Sequence, residues 1–241
     1  MTDAAELAGL LAAWMPQRRW YASKNSVPRI ESVVVSPAGG GRARRLAEAG
    51  LEILEVFVTD CASGSPVVYQ VPLVRRRSLP DDAGSPDSGT SPGVVGRDRE
   101  GRWLVDAASE PEYLRWLLPE HAIGEARVLD GEQSNTSVIC ECPEGPHDLI
   151  VKIFRVVDAG SNPDVELQDA LTREGIAHVP KLAASGWGGW SRGSATEYGH
   201  LWVANEFLEG AQDAWRVATA AVAAGEDLDA AGLGRAVAEV H

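Results

Sequence analysis

The hexapeptide Leu149-Ile150-Val151-Lys152-Ile153-Phe154 constrains the fold most strongly, because a lone lysine interrupts an otherwise apolar run. An apolar run of this length, bounded by the turn-forming stretch Pro143–His147, reads as a buried strand within Asp148–Val157. Alternate residues of a strand share a face, so Lys152 lies with Ile150 and Phe154. Burying an ammonium group there is costly unless it is paired. Two arrangements satisfy it. Either the strand is an edge and the lysine head reaches water, or the element covering the strand supplies a carboxylate.

The next segment offers such a carboxylate. Ser161 or Asn162 caps a helix with Pro163 at its first position, and Gly175 closes it. Glu166 lies in the first turns of that helix, beside Leu167, Ala170 and Leu171. A strand lysine held by a helix glutamate is how kinases grip the α- and β-phosphates of ATP. Before the lysine strand come the short strand Glu125–Asp130, the polar turn Gly131-Glu132-Gln133-Ser134-Asn135 and the β-branched strand Thr136–Cys142. Such a turn is either a solvated hairpin tip or a set of neutral donors suited to phosphate oxygens. Val179–Ser185 and His200–Phe207 read as two further strands, separated by a Gly/Trp/Ser-rich excursion, Gly186–Gly199. The order is β-β-β-α-β-β. Leu201–Gly210 runs from a buried strand into a polar crossover, which is either a plain connection or a hinge whose main chain meets adenine.

The first region has a different pattern. Residues 3–14 form an amphipathic helix with Leu7, Leu10, Leu11 and Trp14 on one side, stopped by Pro16. The basic–aromatic stretch Arg18–Lys24 follows. Ile30–Ser36, Leu51–Thr59 and Val67–Val74 are β-rich, and Val94–Val105 suits a short hairpin. Pro111–Leu118 is a short helix. Asp81–Pro92 has the composition of a mobile surface loop. The whole chain is therefore of the α+β class. Leu228–His241 is amphipathic and helical but carries no stop signal, so a fragment cut before a further domain is expected.

Charge and motif content narrow the function. A net charge of −13 repels nucleic-acid phosphates and anionic membrane surfaces. No transmembrane run or signal peptide is evident, which points to a cytoplasmic protein. Cys61, Cys140 and Cys142 read as reduced, packed thiols. The sequence has no Walker loop, no dinucleotide fingerprint, no zinc-protease helix and no nucleophile elbow.

Four segments together resemble the maltokinase-like sugar kinases of actinobacteria. They are Trp14-Met15-Pro16-Gln17-Arg18-Arg19-Trp20-Tyr21-Ala22-Ser23-Lys24, Gly131–Ser137, Leu149–Arg155 with Asn162-Pro163-Asp164-Val165-Glu166, and Gly232–His241. The departures are Ser23, where glycine is expected, and the long Asp81–Pro92 loop. The resemblance implies an N-terminal cap (helix plus antiparallel sheet) over residues 1–122. A kinase-like N-lobe follows over 123–206, a five-stranded antiparallel sheet with one helix. The hinge and the start of a truncated helical C-lobe occupy 207–241. It implies that Lys152 binds ATP phosphates and Glu166 holds it. Ser134, Asn135, Thr136 and Ser137 line the phosphate loop, and Asn205, Glu206 and Phe207 form the hinge. Catalytic and Mg²⁺-binding residues are expected in a lobe outside this sequence, because no His-Gly-Asp-x-His motif occurs here. The implied reaction is ATP-dependent phosphorylation of maltose to maltose 1-phosphate, feeding glycogen synthesis. Related members act on glucosamine, and a non-catalytic binding module is the alternative from another class. ATP and a sugar acceptor are the expected partners of a monomer or weak oligomer.

Overall fold

A computed structural model describes residues 3–24, 26–79, 93–129 and 134–241. The Asp81–Pro92 loop and Gly131–Gln133 of the polar turn lie outside the described residues. The chain opens with helix α1, Ala4–Trp14, whose Asp3 side chain accepts a hydrogen bond from the Ala5 amide. Strand β1 is Ile30–Pro37 and helix α2 is Gly40–Glu48. Four strands follow: β2, Leu51–Asp60; β3, Val67–Gln70; β4, Leu73–Arg76; and β5, Val94–Arg97. Strand β6, Trp103–Asp106, and helix α3, Pro111–Leu117, complete the first half. These strands make one antiparallel sheet in the order β1-β2-β4-β6-β5, with β3 also on β2. The single strand expected over Val67–Val74 is split into two. Pro72 has no N–H for a ladder, and its carbonyl instead accepts the Ala107 amide at 2.9 Å. Helix α2 was not foreseen, because it carries only one buried side chain, Ala43, and so has almost no apolar stripe to read.

The second half holds β7, Ala126–Val128; β8, Asn135–Cys140; and β9, Leu149–Phe154. Helix α4, Pro163–Arg173, precedes β10, Leu182–Arg192, and β11, Ala195–Glu206. All five strands are antiparallel, in the order β10-β11-β9-β8-β7, so the lysine strand is central and not an edge. The excursion expected over Gly186–Gly199 is instead the body of a long hairpin. Its strands run to Arg192 and resume at Ala195. The glycines that suggested a loop make room for neighbouring rings. A Cβ on Gly186 would collide with the Trp202 indole, one on Gly188 with Leu201, and one on Gly189 with the Tyr198 ring. Large side chains on β11 lie across β10, which is why β10 must be bare there.

One core joins the two sheets. Ile53, Phe57 and Val74 from the first pack with Val138, Val151, Ile153 and Trp202 from the second, around Tyr113, Leu114 and Leu118 of α3 and its end. A backbone bridge between Tyr69 and Val156 stitches them, with the Gln70 amide donating to the Arg155 carbonyl at 2.8 Å. A second core lies under α1, where Leu7, Leu11 and Trp14 meet Val56, Val58 and Tyr69. The last helices, α5 (Ala214–Ala224) and α6 (Ala230–Val240), bury no residue.

Candidate nucleotide site

Register places the site residues. Lys152 on β9 pairs with Ser137 on β8 and with Val203 on β11. Asn135 pairs with Phe154 and Asn205 with Ile150. Partners share a face, so Asn135, Ser137, Lys152 and Asn205 all lie on the face that α4 covers. There Phe154, Val165 and Val203 form a small apolar cluster, and Val165 is the buried residue of α4.

Asp164 and Glu166 flank Val165, one on each side of the residue that touches the sheet. The Lys152 ammonium donates to Asp164 Oδ2 at 3.2 Å, so the helix carboxylate that meets it is Asp164 and not the expected Glu166. Glu166 instead faces His200, whose imidazole is held below its usual pKa by burial while the Glu166 charge opposes that shift. The His200 Nδ1 accepts the Asn162 amide at 3.0 Å, and the Asn162 side chain accepts the Asp164 amide at 2.9 Å. The first turn of α4 is thus fixed to β11 from below and capped from within. The Lys152–Asp164 side chains are 29% and 69% exposed, a pair of surface character worth about 0–1 kcal/mol. Such a pair exchanges readily for a stronger anion.

Ser137 is buried on the same face, and its hydroxyl has no hydrogen-bond partner among the described residues. The Asn205 carbonyl oxygen is in the same condition. Ser134 is exposed and accepts a bond from the Asn135 amide at 3.2 Å. Thr136 does not join this group. Strand alternation turns it to the opposite face, where its hydroxyl accepts from Arg155 Nε at 2.8 Å. At the far end the Phe207 amide donates to the Asp148 carbonyl at 2.8 Å. Glu206 approaches His147 Nε2 at 3.1 Å, and its own amide donates to the Lys181 carbonyl at 2.9 Å. Ile139, Ala126, Phe207 and Glu209 help line a groove of about 230 Å³ here.

Sequence reasoning missed Arg155. It is completely buried, its guanidinium pairs with Asp106 at 2.7 and 2.9 Å, and it lies over the Trp20 ring at 5.0 Å. The available signal was its place directly after the apolar run, where a strand residue on the cap-facing side cannot reach water. The basic–aromatic stretch comes to the same junction. Arg18, Arg19 and Trp20 line a cleft of about 420 Å³ with Asp106, Asn135 and Thr136.

A helix-plus-antiparallel-sheet unit stacked on a five-stranded antiparallel sheet with one covering helix defines an α+β protein with a front unit and a lysine-bearing second sheet. Residues 14–109 match the maltokinase N-terminal cap domain, from the end of α1 through the turn after β6. The match is to that cap segment and says what residues 14–109 are similar to. No helix among the described residues is long and apolar enough to cross a membrane.

Proposed function

We propose that the chain is the cap and nucleotide-binding part of an ATP-dependent sugar kinase that phosphorylates maltose. The observation that carries this is a maltokinase-type cap joined to a sheet whose central strand presents Lys152 beside a weakly held carboxylate. The residues fit ATP in kind. Lys152 and the unpartnered Ser137 hydroxyl supply donors for phosphate oxygens. The groove lined by Ile139 and Phe207 suits a flat base. Lys152 would leave Asp164 for the phosphates. Ser134 and Asn135, at the start of β8, would border them. Thr136, spent on Arg155, would fix the strand instead of touching nucleotide. Glu166 would become the lysine's partner only if α4 turns about Val165.

The described residues hold no cluster of three side chains that could ligate a metal ion. ATP supplies the transferable phosphoryl group. The contribution of these residues is to bind and orient it, and orientation is most of what phosphoryl transfer asks of a protein.

Two measurements test the reading. A fluorescent ATP analogue should bind this chain, and Lys152→Ala should weaken it at least tenfold while Glu166→Gln changes it less. No saturable binding, or unchanged binding in Lys152→Ala, overturns the nucleotide site. In the complete gene product, ADP release should depend on added maltose. Release with glucosamine alone would shift the substrate within the family, and sugar-independent silence would favour a binding module.

A further inference from the structure

A small cavity between the two sheets has no place in the nucleotide reading. It measures about 80 Å³ and is lined by Glu55, Phe57, Gln70, Tyr113, Trp116 and Trp202, among others. It is partly open to solvent, and it carries polar groups among its apolar walls. Gln70 is 4% exposed, and its carbonyl oxygen is buried with no hydrogen-bond partner among the described residues. The Gln70 side chain lies beside the Tyr113 hydroxyl. Glu55 lies two residues before Phe57, whose register partner is Gln70, so both acceptors stand on the core face of the first sheet. Among the described residues Glu55 makes no ion pair and no side-chain hydrogen bond, and burial raises its pKa. Two acceptors line the cavity, one of them a half-buried carboxylate, and several of the surrounding side chains are aromatic.

A buried acceptor without a donor costs free energy, as at Gln70, and a partly desolvated carboxylate with no cation beside it is also disfavoured. An ammonium group resolves both at once. It has three N–H donors and a full positive charge. Its attached methylenes and residual charge suit aromatic faces. The volume exceeds the roughly 10–15 Å³ that one water needs and falls well short of the about 300 Å³ at which sites for larger ligands begin. A sugar or nucleotide is therefore too large. We propose that the cavity bounded by Glu55, Gln70, Tyr113, Trp116 and Trp202 binds the headgroup of a small primary amine between the cap sheet and the second sheet.

The test is a titration of the 241-residue chain with n-propylammonium chloride, read by tryptophan fluorescence and melting temperature. Potassium chloride at matched ionic strength and n-propanol serve as controls. The expected result is a saturable change with propylammonium alone. Glu55→Gln keeps the shape and removes the charge, and it should weaken the apparent affinity at least tenfold. Without amine, that variant should melt no lower than the wild type, since it removes a partly desolvated charge that has no cation beside it among the described residues. Gln70→Met removes the second acceptor and should weaken affinity several-fold. The site is overturned by no saturation in the wild type, by an equal response to propanol or potassium, or by an unchanged affinity in Glu55→Gln. Nucleotide binding plays no part in the readout, so its failure would leave this result unaffected.

Discussion

At the scale of single residues, the fold depends most on Arg155. Its guanidinium is wholly inside the protein, held by Asp106, by Thr136 and by the Trp20 ring. Removing one member of a buried pair leaves the other charge without compensation, at a cost of about 3–5 kcal/mol. Arg155→Ala and Asp106→Ala should each lose about that much in urea unfolding. The double variant should lose much less than the sum, because the second change removes the stranded charge. The cysteines bear on reactivity. All three are free and buried, and burial pushes the Cys140 thiol up to about 12. The thiolate is the reactive form. Cys140 should therefore resist iodoacetamide at pH 8 in the native state and react once the chain is unfolded, as read by mass spectrometry.

At the scale of elements, α4 and the β10–β11 hairpin set the geometry around the lysine. One link between them is the Asn162 amide donating to His200 Nδ1, which requires that nitrogen to be unprotonated. His200 titrates below the usual value of 6.5 because burial disfavours its charged form. The unfolded chain therefore binds the proton more readily. Stability from this group is intact above about pH 6.5 and falls as the pH drops toward the folded pKa. An NMR titration should find His200 below 6.5, with amide exchange at Asn162 accelerating as it protonates. Glu166→Gln should lower the pKa further, since the opposing charge is gone. The hairpin makes a separate prediction. A methyl group on Gly186 would enter the Trp202 ring, and overpacking of this kind costs about 1–3 kcal/mol. Gly186→Ala should lower the melting temperature and shift tryptophan emission, whereas Gly193→Asn, at the open hairpin tip with φ +60°, should be mild.

For the molecule as a whole, the question is whether the cap is an independent unit. The two sheets share a core through Phe57, Tyr113, Leu114, Val151 and Trp202, and the Arg155 network lies across the same junction. Neither sheet can leave without exposing that surface and stranding a charge. Thermal unfolding of residues from both halves should therefore be one transition, with calorimetric and van't Hoff enthalpies in agreement. Separate melting of a cap and a second sheet, seen by calorimetry, would contradict the shared core.

The sequence determined those features that local chemistry dictates. Helix α1 follows from its Leu7–Leu11–Trp14 stripe, and α4 from its Asn162 cap and Pro163 start. Strand β9 follows from an apolar run too continuous for a surface, and the lysine within it announced a nearby carboxylate. Which carboxylate that would be was not local information. Asp164 and Glu166 are equivalent in spacing, and only the packing of Val165 into the sheet decides which side of α4 looks at Lys152. The same limit hid the hairpin in Gly186–Gly199, because a bare strand reads as a loop until the Trp202, Leu201 and Tyr198 side chains that cover it are in place. It also hid Arg155 and the Glu55–Gln70 cavity. Their partners lie tens of residues away in sequence, and burial of a polar group can be judged only when every surface that closes over it has been assembled.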